Sequence, residues 1–243
     1  MNISKNVKNQ NDSLDMNKNI LVFDTSTKNL CLGLWCHGEF YECHDYDMQR
    51  PHGDIILQCI DDLLAKNGLA VVDLDCLGVG IGPGSFIGVR TAVTVAQGLA
   101  YGVSIPIIPV PTLQIVAQHA WNKYQITKAL VVIDARMNEI YAARYTKNHE
   151  NIMMALEKEQ LYTANGLQID SDEYVVVGNA VVQYDLSTLF PDCCCRADVF
   201  VDARALLDMV LYKISLGEIT DCHQIQPLYV RNDVAKVSQK NKN

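Results

Sequence analysis

The first strong hydrophobic pattern in the chain is a short apolar run at residues 20–24, ILVFD, which ends in an aspartate. A polar stretch, DTSTKN, occupies residues 24–29. From residue 30 to residue 34, leucine then takes every second position. Two strands joined by a polar turn give this pattern, so it predicts a β-hairpin.

The same layout returns 110 positions later. Residues 132–145, VIDARMNEIYAARY, match residues 22–35, VFDTSTKNLCLGLW, so that Asp134 falls where Asp24 does. Both segments contain a strand, a strand-ending aspartate, a polar turn and a second strand. We therefore expect two copies of one structural unit, that is, a duplicated lobe.

Apolar residues recur at helical spacing in residues 54–66, which predicts an amphipathic helix. They are too numerous for one narrow face of that helix. One stripe consists of Ile56, Ile60, Leu63 and Leu64, while Ile55 and Cys59 lie beside it. We therefore expect the helix to bury two sides.

A second helix is predicted at residues 86–101, with Ser85 as its N-cap. Intrinsic helix propensity does not favour glycine in such a helix. Small side chains instead allow another backbone or helix to approach closely. They recur here at four-residue steps, at Gly88, Ala92, Ala96 and Ala100. Two interpretations stay open: the row faces a partner protein, or it packs inside its own lobe.

The remaining pattern predicts further strands at residues 76–80, 105–110 and 174–177. A helix capped by Thr112 is expected to run to about residue 123, and a late amphipathic helix lies near residue 210. Hairpins that alternate with helices indicate the α/β class.

These elements divide the chain into two lobes with a tail at each end. The first lobe is predicted at residues 19–111, joined by the late helix and the segment after it at about 202–232. The second lobe is predicted at residues 112–201. Residues 1–18 and 233–243 are polar, and we expect them to be disordered or flexible tails.

Composition and net charge restrict the range of possible functions. The 243 residues, 49% of them hydrophobic and 20% charged, suit a globular chain with a substantial core. The net charge is −8, from 20 basic and 28 acidic residues. Binding to nucleic acid needs clustered Lys and Arg to neutralise phosphates, so we expect any nucleic-acid contact to run through a partner.

The nine cysteines indicate a reducing compartment, because they are odd in number and contain no C-x-x-C pair. Adjacent thiols splay apart, so we interpret Cys193, Cys194 and Cys195 as reduced thiols in a loop and not as a metal site. The first eighteen residues lack the apolar core of a secretory signal, and no apolar run is long enough to span a bilayer. The expected location is the cytoplasm.

The best candidates for nucleotide binding are two polar turns. Asp24, Thr25 and Ser26 follow a strand, and Gly82 and Gly84 lie between a strand and a helix N-terminus, where phosphate-binding loops often lie. The glycine stretch matches neither a P-loop nor a dinucleotide-binding motif. The alternative interpretation is an Asx-turn at Asp24 and a tight turn that starts a closely packed helix.

No residue pattern supplies catalytic chemistry. His52 and His119 each lack a second ligand at helical spacing, and we expect both to be surface or capping histidines. Ser85 lacks the Gly-x-Ser-x-Gly frame of a hydrolase nucleophile. We therefore predict no catalytic residue, no metal and no cofactor.

Four blocks of sequence carry a family resemblance. The blocks are LVFDTSTKNLCLGLW at 21–35, GVGIGPGSFIGVRTAVTVAQGLA at 78–100, VVIDARMNEIYAARY at 131–145, and PLYVR at 227–231. In these blocks the chain resembles the TsaB (YeaZ) family, the partner subunit in bacterial synthesis of N6-threonylcarbamoyladenosine on tRNA. The resemblance implies a two-lobed, actin-like (ASKHA, RNase-H-like) fold, in agreement with the repeat.

The resemblance also implies an accessory role. The related catalytic subunit, TsaD, carries a His-x-x-x-His metal pair at the places that correspond to Thr112 and Val116 here. Neither imidazole is present, which indicates an inactive paralogue. Another departure is Ile87, where the family usually has a threonine, and Ile offers no hydrogen bond to a phosphate.

The implied partners are TsaD, which would form a heterodimer with this chain, and the ATPase TsaE. The resemblance implies that tRNA binds only through the complex. A homodimer is the alternative when the chain is alone. The complex transfers threonylcarbamoyl from its adenylate to the adenosine at position 37, next to the anticodon, of tRNAs that read codons beginning with A. We expect the two first-lobe helices to contact the partner in a four-helix arrangement. The predicted interface residues are Ile56, Ile60, Leu63, Gly88, Ala92, Val95, Ala96 and Leu99.

Two other functions are compatible with parts of the sequence. An actin-like small-molecule kinase or nucleotide-binding protein would need acidic metal ligands in both lobes, and Asp24 with Asp134 is the candidate pair. A metallopeptidase, suggested by older naming in the wider family, would need the paired histidines that are absent.

Overall fold

The structure, a computed structural model, describes residues 18–43, 50–169 and 173–230. The predicted tails lie outside the described residues, apart from Lys18. Within the described part of the chain, no helix is both long enough and apolar enough to cross a membrane.

The described part of the chain forms two sheets and six α-helices. The first sheet contains β1 (Ile20–Asp24), β2 (Cys31–Cys36), β3 (Glu39–Glu42), β4 (Cys76–Gly80) and β5 (Ile107–Val110). The second contains β6 (Lys128–Arg136), β7 (Glu139–Lys147), β8 (Met153–Ala155), β9 (Gln160–Thr163), β10 (Val175–Val177) and β11 (Cys195–Arg196). The helices are α1 (His52–Lys66), α2 (Phe86–Val103), α3 (Thr112–Tyr124), α4 (Ala180–Gln183), α5 (Leu186–Leu189) and α6 (Ala203–Ser215).

The two sheets share one topology, which confirms the predicted duplication. The first sheet has the order β3-β2-β1-β4-β5, with β1 antiparallel to β2 and parallel to β4. The second has the order β11-β10-β6-β7-β8, with β9 also paired to β7; here β6 is antiparallel to β7 and parallel to β10. A hairpin followed by a parallel neighbour is therefore built twice, as expected for an actin-like α/β fold.

Strand β1 is apolar throughout because it lies in the middle of its sheet and is buried on both faces. Leu21 and Phe23 pack against the side covered by α1 and α2. Ile20 and Val22 point the other way, into a core that also contains residues of α3, α6 and the second sheet. The two sheets thus enclose α3 and α6, while α1 and α2 cover the outer face of the first sheet.

The segment after α6 returns to the first sheet. Thr220 and Ile107 exchange two backbone hydrogen bonds, of 2.9 and 2.8 Å, at the edge strand β5. Further along, the amide of Leu228 donates to the carbonyl of Ile81 at 2.8 Å. The C-terminal part of the described chain therefore runs along the lobe that the N-terminal strands begin, and the precise lobe boundaries stay a prediction.

Candidate functional site

A buried carboxylate at the end of β1 is the centre of the candidate site. Asp24 is fully buried, and its Oδ1 accepts a hydrogen bond from the amide of Ser26 at 2.6 Å. Its Oδ2 accepts a hydrogen bond from the hydroxyl of Thr112 at 2.7 Å. Both carboxylate oxygens are therefore bonded to groups of the chain itself.

Thr112 joins three segments at this point. It lies in the first turn of α3, and its hydroxyl oxygen accepts a hydrogen bond from the amide of Gly82 at 3.0 Å while it donates to Asp24. The hydroxyl of Ser26 lies 3.1 Å from the same oxygen, and the amide of Thr112 donates to the carbonyl of Gly82 at 2.7 Å. The prediction that Thr112 caps the helix is wrong, because Pro111 is the N-cap residue and the Thr112 hydroxyl bonds to Asp24 instead.

The glycine turn is pressed against the Asp24 loop. The amide of Ser85 donates to the carbonyl of Ser26 at 2.7 Å, and a Cβ added to Gly84 would lie 2.6 Å from that carbonyl oxygen. A Cβ added to Gly80 would lie 1.9 Å from Oδ2 of Asp24. No side chain fits at either position, so close packing of the two loops is sufficient reason for glycine there.

Burial raises the pKa of Asp24 above its ordinary value. The hydrogen bonds from Ser26 and Thr112 and the nearby charge of His52 oppose that rise without cancelling it. The Thr112 hydroxyl is thus part of what allows a carboxylate to stay buried at this position.

Thr112→Val is expected to lower the free energy of unfolding by about 2–3 kcal/mol, because it leaves Oδ2 of Asp24 and the amide of Gly82 buried without partners. For a chain of this size that corresponds to a fall in Tm of about 5–10 °C, measured by thermal denaturation. Thr112→Ser keeps the hydroxyl and removes one methyl group, so it should cost only about 1 kcal/mol. Equal melting of the valine variant and the wild type would contradict this account of the cluster.

The structure brings the predicted nucleotide-binding residues together but joins them to one another. Asp24, Thr25 and Ser26 are buried, and the Thr25 hydroxyl donates to the carbonyl of Gly88 at 2.6 Å. The bond from the Ser26 amide to Asp24 is the Asx-turn of the alternative interpretation. Nucleotide binding at Asp24, Thr25, Ser26, Gly82 and Gly84 stays a prediction without support from this geometry.

The second lobe repeats the turn with different surroundings. Oδ1 of Asp134 accepts the amide of Arg136 at 2.8 Å, just as Asp24 accepts that of Ser26. The same Asp134 oxygen also accepts the hydroxyl of Tyr184 at 2.6 Å. Burial, together with this bond to the carboxylate, raises the pKa of Tyr184 to about 12, so the phenol stays protonated and keeps donating.

The predicted partner-facing residues are mostly inside the lobe. Six of them are buried in this chain, namely Ile56, Ile60, Leu63, Gly88, Ala92 and Ala96, while Val95 and Leu99 are half-buried. Contact of these residues with a partner stays a prediction, which the burial of the six does not support. The reason for the burial is that both helices pack these residues against their own lobe. The apolar side chains of the set lie in the core between α1, α2 and the first sheet. Gly88 lies against the Thr25–Ser26 backbone. The predicted second apolar side of α1 is buried as well.

The two histidines differ. His52 begins α1 half-buried, with Nδ1 3.4 Å from the carbonyl oxygen of Thr25. His119 was predicted to be a surface or capping residue, which is wrong: it is buried, and its Nδ1 lies 2.9 Å from the carbonyl oxygen of Phe200. It therefore connects α3 to the segment before α6.

An exposed aromatic group at the start of α2 was not predicted from the sequence. The guanidinium carbon of Arg90 lies 3.2 Å from the ring centroid of Phe86 and 5.3 Å from that of Tyr229. The two rings are about half exposed and Ile87 beside them is 75% exposed. Tyr229 is far away in sequence, so no local pattern could reveal this group.

Comparisons with known proteins agree with this architecture. The sequence profile of the family described as "TsaD: tRNA N6-adenosine threonylcarbamoyltransferase" matches residues 46–201. The tRNA threonylcarbamoyladenosine biosynthesis protein TsaB of Escherichia coli K12 is 34% identical over 232 residues, which are 89% of this chain and 96% of that protein. The TsaB protein of Haemophilus influenzae is 30% identical over 234 residues, 90% of this chain and 95% of that one.

Solved structures give the same result. A crystal structure described as an uncharacterized protein with similarity to peptidase YEAZ, from Pseudomonas aeruginosa, superposes with a TM-score of 0.78 at 26% identity. It covers 88% of this chain and all of that one. The structure described as YeaZ from Pseudomonas aeruginosa has a TM-score of 0.77 at 25% identity and covers 87% of this chain and 99% of that one.

The duplicated sheet topology, with an Asx-turn at the end of the first strand of each lobe, defines a two-lobed α/β protein of the actin-like, TsaD-related class. The chain belongs to the TsaB (YeaZ) family. The resemblance found in the sequence is thereby confirmed.

Proposed function

We propose that this chain is the non-catalytic partner subunit of a TsaD-type transferase, acting together with a TsaE-type ATPase. The complex would transfer threonylcarbamoyl from its adenylate to N6 of the adenosine next to the anticodon of tRNA. The family name supports the pathway, because the curated relatives are tRNA threonylcarbamoyladenosine biosynthesis proteins.

The observation that carries the non-catalytic role is the closed cluster at Asp24. Both carboxylate oxygens of Asp24 and the Thr112 hydroxyl are bonded within the chain, so this cluster directs no free acid or base at a substrate. The places that correspond to the metal-binding histidines of the catalytic relative hold Thr112 and Val116, both buried. A hydroxyl and an aliphatic side chain are not ligands that a catalytic metal uses in their place.

No observation among the residues that the structure describes supports the kinase alternative. Its two candidate acids, Asp24 and Asp134, each accept a backbone amide two residues further on, and each also accepts a side-chain hydroxyl. They serve the two hairpins of the fold in the same way. A structural use in both lobes supports the accessory role.

The proposed contact surface is the solvent side of α1 and α2. These helices are neighbours, since a Cβ added to Gly53 would lie 3.7 Å from the Thr91 hydroxyl. The exposed apolar side chain on α1 is Leu57, at 57% exposure, and Thr94 is exposed on α2. Val95 and Leu99, two members of the interface predicted from the sequence, are half-buried on α2.

Reconstitution tests the proposal. The chain is mixed with the TsaD-type and TsaE-type subunits of the same organism, tRNA, threonine, bicarbonate, ATP and an enzyme that forms threonylcarbamoyl-adenylate, and modified adenosine is quantified by mass spectrometry. We expect product only when this chain is present, and none from this chain alone. Product formed equally well without it would contradict the accessory role, and hydrolysis of ATP by the isolated chain at an enzymatic rate would favour the kinase.

A variant tests the contact surface separately. Leu57→Glu should weaken association with the TsaD-type subunit roughly tenfold or more, because an apolar contact becomes a charge that must be desolvated. Val182→Glu is the matched control, since Val182 is 73% exposed on α4 of the other lobe. Equal binding by both variants, measured by calorimetry, would exclude the α1–α2 surface while leaving the reconstitution result intact.

A further inference from the structure

Three consecutive side chains after α6 form a cluster with the chemistry of a metal site. A carboxylate oxygen of Asp221, the Sγ of Cys222 and a ring nitrogen of His223 all lie within 4.8 Å of one another. Among the described residues this is the one group of three or more such side chains that could hold a metal ion. Neither the proposed function nor the family comparison uses it.

Hydrogen bonds of the local backbone explain why neighbouring side chains converge here. The two bonds between Thr220 and Ile107 fix the chain on β5 immediately before the cluster. The amide of Gln224 then donates to the carbonyl of Asp221 at 2.9 Å, and the amide of His223 donates to Oδ1 of Asp221 at 2.8 Å. The chain therefore turns within four residues, and side chains that would diverge along a strand meet on one side.

The cluster opens onto a cleft with room for further ligands. The cleft has a volume of about 690 Å³ and is lined by the cluster and by the end of α2, including Ala100, Tyr101 and Ser104. The His223 ring packs edge-on against Tyr101, with ring centroids 5.7 Å apart, so the imidazole has a defined position although it is exposed. Cys222 is half-buried against the core of the first lobe.

We propose that Asp221, Cys222 and His223 bind a divalent cation of the Zn²⁺ type, with water in the fourth position. A thiolate and an imidazole favour zinc over magnesium or calcium, which prefer oxygen ligands alone. Zn–N and Zn–S bonds of about 2.0–2.3 Å place tetrahedral ligand atoms about 3.3–3.8 Å apart. The three side chains need to approach by about 1 Å, which rotation about their χ angles supplies.

The position in the fold gives the cation a structural role. The same segment continues past the cluster, where the carbonyl of Ile225 accepts the side-chain amide of Gln97 at 3.4 Å, and reaches Ile81 through Leu228. A cation bound at the turn would fix the start of this segment against α2 and β5. It would thus stabilise the path that leads to the glycine turn at residues 82–84.

Cobalt(II) is the probe for the site, because it takes zinc ligands and reports thiolate coordination by an intense charge-transfer absorption. The reduced full-length chain is titrated with Co²⁺ without oxygen, in the presence of a phosphine reductant. We expect one equivalent to bind with a thiolate band and Zn²⁺ to displace it. Cys222→Ser and Cys222→Ala should abolish the band. His223→Ala and Asp221→Asn should weaken Co²⁺ binding by at least roughly tenfold, because loss of a residue that only hydrogen-bonds to a metal ligand already costs about that much affinity.

The matched control is Cys194→Ser, because Cys194 is an exposed free cysteine immediately before β11. This variant should bind Co²⁺ as the wild type does, and Zn²⁺ should raise the Tm of both but not that of the Cys222 variants. The metal-free Cys222 variants should melt near the metal-free wild type. Absence of a thiolate band in the wild type, or its loss in Cys194→Ser and survival in Cys222→Ser, overturns the proposal.

Discussion

Ala92→Arg is expected to prevent stable folding of the isolated chain. Ala92 has no exposed surface and packs in the core between α2 and the first sheet. An arginine there overfills a close-packed site and buries a charge without a partner, at a combined cost of about 5 kcal/mol or more. Because domains are stable by about 5–15 kcal/mol in total, most or all of the stability would be lost. Thermal denaturation and the yield of folded monomer measure the effect.

Thr94→Arg separates this loss of folding from loss of partner binding. Thr94 lies on the exposed side of the same helix, two residues further on. Surface substitutions usually change stability by less than about 0.5 kcal/mol, so this variant should melt like the wild type. If the solvent side of α2 contacts the TsaD-type subunit, the Thr94 variant should bind that subunit more weakly than the wild type although it folds normally.

For Ala92→Arg, melting at the wild-type temperature would contradict the expected loss of folding and would mean that the small-residue row faces outwards.

The hairpins were predictable because their signals are local. An apolar run, an aspartate and a partner strand occur within fifteen residues in each lobe, and the structure pairs the two strands of each hairpin. Asp24 ends β1 as predicted, whereas β6 continues two residues past Asp134, to Arg136. The Ser85 cap of α2 is equally local, since its hydroxyl accepts the amide of Gly88 three residues on, at 3.4 Å. Repetition of the local pattern was enough to predict two lobes of one topology.

The neighbour of α2 could not be predicted in this way. Small residues at four-residue steps show that something approaches closely, but not whether it belongs to the same chain. In the structure it does: α2 packs on β1 and β4, and Gly88 touches the loop after β1. The spacing of small residues predicted a close contact but not which element of the structure makes it.

The candidate site was predictable only in part for a similar reason. Asp24 and the glycine turn were identified from short motifs, but the hydroxyl that completes the cluster belongs to Thr112, 88 positions further along the chain than Asp24. No periodicity joins residues so far apart. Only the assembled sheet, in which β4 lies between β1 and β5 and β5 leads into α3, brings that hydroxyl to the carboxylate.

Gly88→Ala is expected to cost about 3 kcal/mol or more, at or above the upper end of overpacking effects. A Cβ added at Gly88 would lie 2.1 Å from the carbonyl oxygen of Thr25 and 3.1 Å from the Cα of Ser26. These are backbone atoms, so no side chain can rotate away, and the loop after β1 must shift. That shift would also strain the bond from the Thr25 hydroxyl to the carbonyl of Gly88 and the bonds that Ser26 makes to Asp24.

Gly98→Ala is the matched substitution in the same helix, and it should have the opposite sign. A Cβ added at Gly98 meets no atom within 4 Å, and alanine is the better helix former. We expect a gain of about 0.5–1 kcal/mol, measured by urea denaturation for both variants. If Gly88→Ala were as stable as Gly98→Ala, the Asp24 loop would have to be free to move away from α2. The cluster that closes the candidate site would then be flexible enough to open for a ligand, which would contradict the proposed non-catalytic role.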